Sequence, residues 1–177
     1  MQMVLIANII DFLAAMLQVA SGSIKNKAKI LVVQTVQLLM QGVSMLLVGG
    51  IPGAVNNALS CLRNYLCYKD KLNGLWKAVI IVASVALTVC FNDQGLLGII
   101  PVAVCTVYIL LMDLKDPIAF KLLVTLSFVP WVFYHAFVGL YVAAVFDVLS
   151  VITNALTLAL MVKEKPSPEG KVARRKP

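Results

Sequence analysis

Seven apolar runs, each ended by a short polar stretch, set the pattern of this chain: residues 3–20, 30–48, 52–68, 75–91, 96–112, 118–136 and 138–162. A helix rising ~1.5 Å per residue needs roughly 20 apolar residues to cross a hydrocarbon core, or somewhat fewer with local adjustment. The runs are too continuous for the strands of a barrel, and their connections are short enough for antiparallel neighbours. They predict seven membrane-spanning helices. The polar interruptions are placed as helical faces. Gln34, Gln37 and Gln41 are three and four apart in the second run and share one side. The third run is the least oily and carries Asn56, Asn57, Ser60, Arg63 and Asn64; the seventh carries Asp147, Ser150, Thr153 and Asn154. Pro52 suits a first helical turn, and Pro130 predicts a kink in the sixth helix.

A shift of ninety residues lays residues 48–66 on residues 138–156. The identities include Val48/Val138, Gly49/Gly139, Ala54/Ala144, Leu59/Leu149, Ser60/Ser150 and Asn64/Asn154. Helices one to three then correspond to helices five to seven, leaving the fourth over. Two three-helix units of the same orientation need an odd helix between them, so the fourth run reads as an inversion linker. The expected organisation is a first three-helix bundle over 1–74, a linker helix over 75–94, a second bundle over 95–162 and a disordered cytoplasmic tail over 163–177.

Composition agrees: 61% of residues are hydrophobic, only 13% are charged, and mean hydropathy is +0.94. A soluble domain carries about twice that share of charge. The net charge of +7 is not spread as a nucleic-acid surface would be. Basic residues sit in the first linker (Lys25, Lys27, Lys29), after the third run (Lys69, Lys71), in the fifth linker (Lys115, Lys121) and in the tail. With seven spans all of these fall on one side, which predicts the N-terminus outside and the C-terminus in the cytoplasm. The start MQMVLIAN lacks the basic flank of a cleavable leader. Cys61, Cys67, Cys90 and Cys105 follow no metal-ligand spacing and read as structural thiols; no metal and no cofactor is expected.

Candidate functional residues follow from the repeat. Asn57, Ser60 and Asn64 share one face of the third run; Asp147, Ser150 and Asn154 share the matching face of the seventh. Polar groups in hydrocarbon normally face a bundle interior or a cavity. The faces can form either a hydrogen-bonded seam or the two walls of a pathway. Gln37 and Trp131 join them as pathway residues. Asp11, Arg63 and His135 are gating or ion-coupling candidates. For Asp11 a structural capping role is the simpler reading, for Arg63 snorkelling to the inner interface, and for His135 an interfacial polar role. Trp131 and Tyr141 fit an outer aromatic belt. No Ser-His-Asp, Cys-His or phosphate-loop spacing points to an enzyme.

Three helices, one linker helix and three helices, with asparagines at matched positions, resemble the SWEET and PQ-loop superfamily of transporters. Within it, the segments NIIDFLAAMLQVASGSIKNKAKILVVQ, GGIPGAVNNALSCLRNYLCY and GLYVAAVFDVLSVITNALTLAL look like the bacterial inner-membrane YgjV-type family. The resemblance implies a SWEET-like fold, alternating access between two bundles and a central cavity near Asn64 and Asn154. Proline-glutamine dipeptides are absent, and the proline tetrad of sugar carriers is not reproduced. The reading is therefore an all-α polytopic inner-membrane protein that carries a small polar solute, sugar-like or vitamin- or nucleoside-like. The alternative is a non-transporting scaffold, receptor or assembly protein. The expected partners are the solute and the lipid bilayer, with no nucleic acid and with room for a homo-oligomer.

Overall fold

A computed structural model of the chain describes residues 2–47, 51–91, 95–137 and 141–164. These residues form seven α-helices: α1 (Gln2–Ser21), α2 (Lys27–Leu47), α3 (Ile51–Tyr68), α4 (Gly74–Phe91), α5 (Ile99–Leu111), α6 (Pro117–Phe137) and α7 (Tyr141–Glu164). Each expected run overlaps one of these helices. Five helices are long and apolar enough to cross a membrane: α1, α2, α4, and the segments Pro117–Tyr134 and Ala143–Glu164 of α6 and α7. The other two depart from the expectation of seven equivalent spans for different reasons. The polar residues of α3 lower its hydropathy. The fifth run is broken: Gly95–Gly98 forms a 3-10 turn, and α5 proper has 13 residues. Gly95 supplies a φ of 58° at the start of that turn. Pro101 falls in the first turn of α5, where a missing N–H costs no helical bond.

Local chemistry sets the helix ends. Asn26, Asn73 and Asp116 are N-cap residues whose side-chain oxygens accept from Lys29 N, Trp76 N and Ala119 N at 3.1, 3.0 and 3.3 Å. Asp116 precedes a proline at the first position of α6. α3 ends with Asp70 in the left-handed region, φ 52°, and Lys71 N donates to Leu66 O at 2.8 Å.

α1 packs on α2 and α7, α2 on α3, and α6 on both α5 and α7, while α4 touches α3 and α5 and buries little of itself. Outward positions such as Leu5, Phe12, Val82 and Leu126 are half exposed or more, the surface that lipid covers. The apolar core lies toward the end of the bundle that carries the basic linkers. It joins Ile30 and Leu31 of α2, Leu66 and Cys67 of α3, Tyr108 and Ile109 of α5, and Phe120 and Val124 of α6.

Two lysines tie this end together. Lys121 of α6 is fully buried, and its ammonium donates to Gly22 O at 2.6 Å, Ile24 O at 2.9 Å and Ser21 O at 3.4 Å, the carbonyls that end α1. Lys27 of α2 donates to Met112 O and Leu114 O, both at 2.8 Å, the carbonyls that end α5, and lies over the Phe120 ring. Gly22 and Ile24 stand ninety residues before Met112 and Leu114, as Asn26 stands before Asp116. Cations at helix C-termini complement both the unpaired carbonyls and the helix dipole. Close by, Lys77 pairs with Asp113 at 2.9 Å, and that hydrogen bond holds the Asp113 carboxyl below its usual range.

Candidate functional site

The polar faces of four helices, closed by a wall from two more, converge on a cavity of ≈ 280 Å³ toward the end of the bundle away from the lysines. α3 contributes a stripe at helical spacing: Asn56 and Asn57, then Ser60, then Arg63. α2 faces it with the amides of Gln34, Gln37 and Gln41, α1 adds Gln18, and α7 adds Asp147. The remaining wall, from α5 and α6, is mostly apolar and aromatic: Cys105, Tyr108, Phe128 and Trp131 with Ser127 among them.

Gln18 holds one side of the cavity. Its Nε2 donates to Asp147 Oδ1 at 2.8 Å and to Ser150 Oγ at 3.3 Å, and its Oε1 accepts from Gln37 Nε2 at 2.9 Å. Gln37 also reaches Gln41 Oε1 at 3.4 Å. One amide thus links α1, α2 and α7. On the other side Arg63 Nε and Nη2 both donate to Asn64 Oδ1 at 3.2 Å, and its guanidinium lies 4.9 Å from the centre of the Tyr108 ring. Tyr108 OH donates to Gln34 Oε1 at 3.3 Å. Replacing Gln18 with leucine removes a hydrogen-bond partner from three polar side chains, Asp147, Ser150 and Gln37. We expect Q18L to lose about 1–3 kcal/mol, read as a lowered unfolding midpoint in detergent; an unchanged midpoint would show the network to be slack.

Asn57, Ser60, Gln37, Arg63, Asp147 and Trp131 therefore meet at one cavity. Asn64, Ser150 and Asn154 do not reach its surface: all three are fully enclosed behind it. Asn154 Nδ2 donates to Ser150 O at 2.7 Å, while Asn64 Nδ2 and Asn154 Oδ1 have no hydrogen-bond partner among the described residues. Asp11 is on an exposed face of α1 and is not part of the cavity wall. The side chain of His135 is outside the described residues.

One expectation is corrected. Arg63 does not snorkel: it is 7% exposed and folds inward onto Asn64 and Tyr108. The Asn64 acceptor beside it on α3 and the ring on α5 hold the guanidinium inside the bundle, away from the interface. Trp131 lines the cavity and packs edge-on against Tyr134 at 5.6 Å. Three members of the site were not singled out from sequence, Gln18, Tyr108 and Phe128. Gln18 had a usable signal, as a lone amide in the second half of an otherwise apolar run. Tyr108 and Phe128 had none, being aromatic residues in apolar helices.

A polar, hydrogen-bonded interior inside a lipid-facing shell of helices is the construction of a polytopic integral membrane protein. Residues 5–165 match the Imp-YgjV family, described as a bacterial inner membrane protein, and the chain belongs to that family. It is a multi-pass protein of the bacterial inner membrane. No curated protein and no solved structure matches it. Among the described residues there is no cluster of three or more His, Cys, Asp or Glu placed to hold a metal.

Proposed function

We propose that this protein is an alternating-access carrier for a small polar solute, with the cavity as its binding site. The observation that carries the reading is an ≈ 280 Å³ space lined by amides, a hydroxyl, an arginine and an aspartate in the interior of a membrane protein. Groups of this kind are costly within a bilayer and are retained where they serve a pathway. A scaffold needs packed helices but no such space. The groups present bind and orient a solute, and the reading is not enzymatic.

The carrier is organised as two parallel three-helix bundles, α1–α3 and α5–α7, with α4 as the inversion linker, in the manner of SWEET-like transporters. What supports this is the ninety-residue repeat together with the lysine contacts. Each lysine comes from one bundle and caps the helix end of the other, on carbonyls at matched positions. The basic linkers put this sealed end in the cytoplasm, the N-terminus outside and the cavity toward the outer half of the bilayer. The lysine contacts are then the inner gate, and they break when the cavity opens inward.

The test is uptake by proteoliposomes of a panel of sugars, amides and nucleosides. Saturable uptake of at least one is expected, reduced by about tenfold or more in an N57A/Q37A variant. If the purified, folded protein moves none of a broad panel, the carrier reading falls.

A further inference from the structure

Arg63 is a buried cation with no ion-pair partner among the described residues. The ion pairs among the described residues are Lys25–Glu164 and Lys77–Asp113, and Arg63 is in neither. Asp147 lines the same cavity and accepts from Gln18 Nε2 at 2.8 Å. A guanidinium has five N–H groups in a planar fork. Nε and Nη2 are held by Asn64 Oδ1 at 3.2 Å, and no partner among the described residues takes Nη1. Nη1 is not sealed in either, because the enclosed side-chain atoms that lack a partner are Asn64 Nδ2 and Asn154 Oδ1. Arg63 lines the cavity, and Nη1 is the part of its fork left for a ligand there. Tyr108 lies 4.9 Å below the guanidinium and is itself anchored to Gln34, so the plane of the fork is fixed before anything binds.

We infer that Arg63 is the anion-binding residue of the cavity, and that the solute is a small organic carboxylate whose body carries hydroxyl or amide groups. The inference rests on the carrier reading. A fixed planar fork suits a carboxylate, which can take two parallel N–H bonds, better than it suits a neutral hydroxyl. Ser60 lies one turn from Arg63 on the same helix face and Asn56 and Asn57 two turns away, so neutral donors and acceptors line the path of the solute's body. The amides of α2 stand opposite, and Phe128 and Trp131 give the cavity an apolar side that an inorganic anion would leave uncovered. At ≈ 280 Å³ the space is below the usual range of drug-sized sites and suits a small metabolite.

The experiment uses matched pairs differing only in the acid group: gluconate against sorbitol, and glycerate against glycerol, with inorganic phosphate as a further probe. Binding to the purified full-length protein in detergent is read by ligand-dependent thermal stabilisation at constant ionic strength. At least one carboxylate should stabilise the wild type where its alcohol does not. R63Q should weaken that binding by about tenfold or more, and R63K by less. Because the paired ligands are compared on the wild-type protein, the result stands even if R63Q folds poorly. Equal stabilisation by acid and alcohol, response to phosphate alone, response to no probe, or undiminished binding by folded R63Q would each overturn the inference. Uptake of a neutral solute that survives in R63Q would sink the carboxylate while leaving the carrier. Carboxylate binding lost in R63Q without uptake of any solute, that carboxylate included, would keep the anion site and sink the carrier.

Discussion

Replacing Lys121 with methionine should produce the largest loss of stability of any single lysine substitution in this protein. Lys121 is fully buried, and its ammonium satisfies three carbonyls at the end of α1, with bonds of 2.6 and 2.9 Å to Gly22 and Ile24. Methionine keeps most of the shape and removes the donors, so the effect reports the bonds rather than a void. Each buried carbonyl left unsatisfied costs about 1–3 kcal/mol. Part of that is recovered when the α1–α2 elbow shifts, and part by removing a buried charge. Lys27 supplies the internal comparison. It caps the equivalent carbonyls of α5 but is only half-buried, so water can replace its bonds and K27M should cost less. Chemical or thermal unfolding in detergent measures both. If K121M stays within about 0.5 kcal/mol of the wild type, the range of an ordinary surface substitution, the carbonyls have other partners and the lysine does not hold this end.

The second large effect is expected at Gly22. A Cβ placed there would run into the Thr153 hydroxyl, with Thr153 Cβ at 2.8 Å and Val19 O at 2.9 Å. Here the end of α1 meets α7 too closely for any side chain, the close approach that small residues permit between membrane helices. Thr153 is held in place, since its hydroxyl bonds Val19 O and Ser150 O, both at 3.2 Å. G22A should therefore cost about 1–3 kcal/mol by overpacking. T153A removes the hydroxyl but leaves the Cβ, so the double variant should recover part of that loss and T153G more of it. The signature is non-additivity: G22A/T153A should be more stable than the sum of the single effects, as contacting residues require. Strict additivity would mean that α1 and α7 separate freely at this point.

Both sites belong to the contacts between α1 and the second half of the chain. Gly22 and Lys121 hold the two halves together at one end, and the Gln18 amide joins α1 to Asp147 nearer the cavity. On the carrier reading proposed above, opening and closing around the cavity must loosen some of these while keeping others. The lysine bonds to backbone carbonyls are the better candidates for breaking, because both partners can find water at an opened cytoplasmic end. The Gly22–Thr153 contact is steric and tolerates no sliding.

Much of this was legible in the order of residues. Apolar runs of helical length, cut by Asn26, Asn73, Asp116 and similar polar stops, are enough to set seven helices, because in lipid the backbone must satisfy itself within each segment. The spacing of Asn57, Ser60 and Arg63 on one run, and of Gln34, Gln37 and Gln41 on another, fixed which residues share a face. A polar face in hydrocarbon has nowhere to point but inward. Periodicity along one helix carries no information about its neighbour, however. Only the packing of α3 on α5 decided that Arg63 lies against Tyr108 rather than at the interface, and only the meeting of α1, α2 and α7 made Gln18 the shared partner of Asp147 and Gln37. The same packing enclosed Asn64 and Asn154 behind the cavity and left Asp11 on an outer face, distinctions that depend on distances across helices. The sequence by itself determined a helical inner-membrane protein with polar faces. The tertiary structure decided which of those faces meet, because hydrogen bonds and burial are properties of pairs, and the pairs here come from residues up to 139 positions apart.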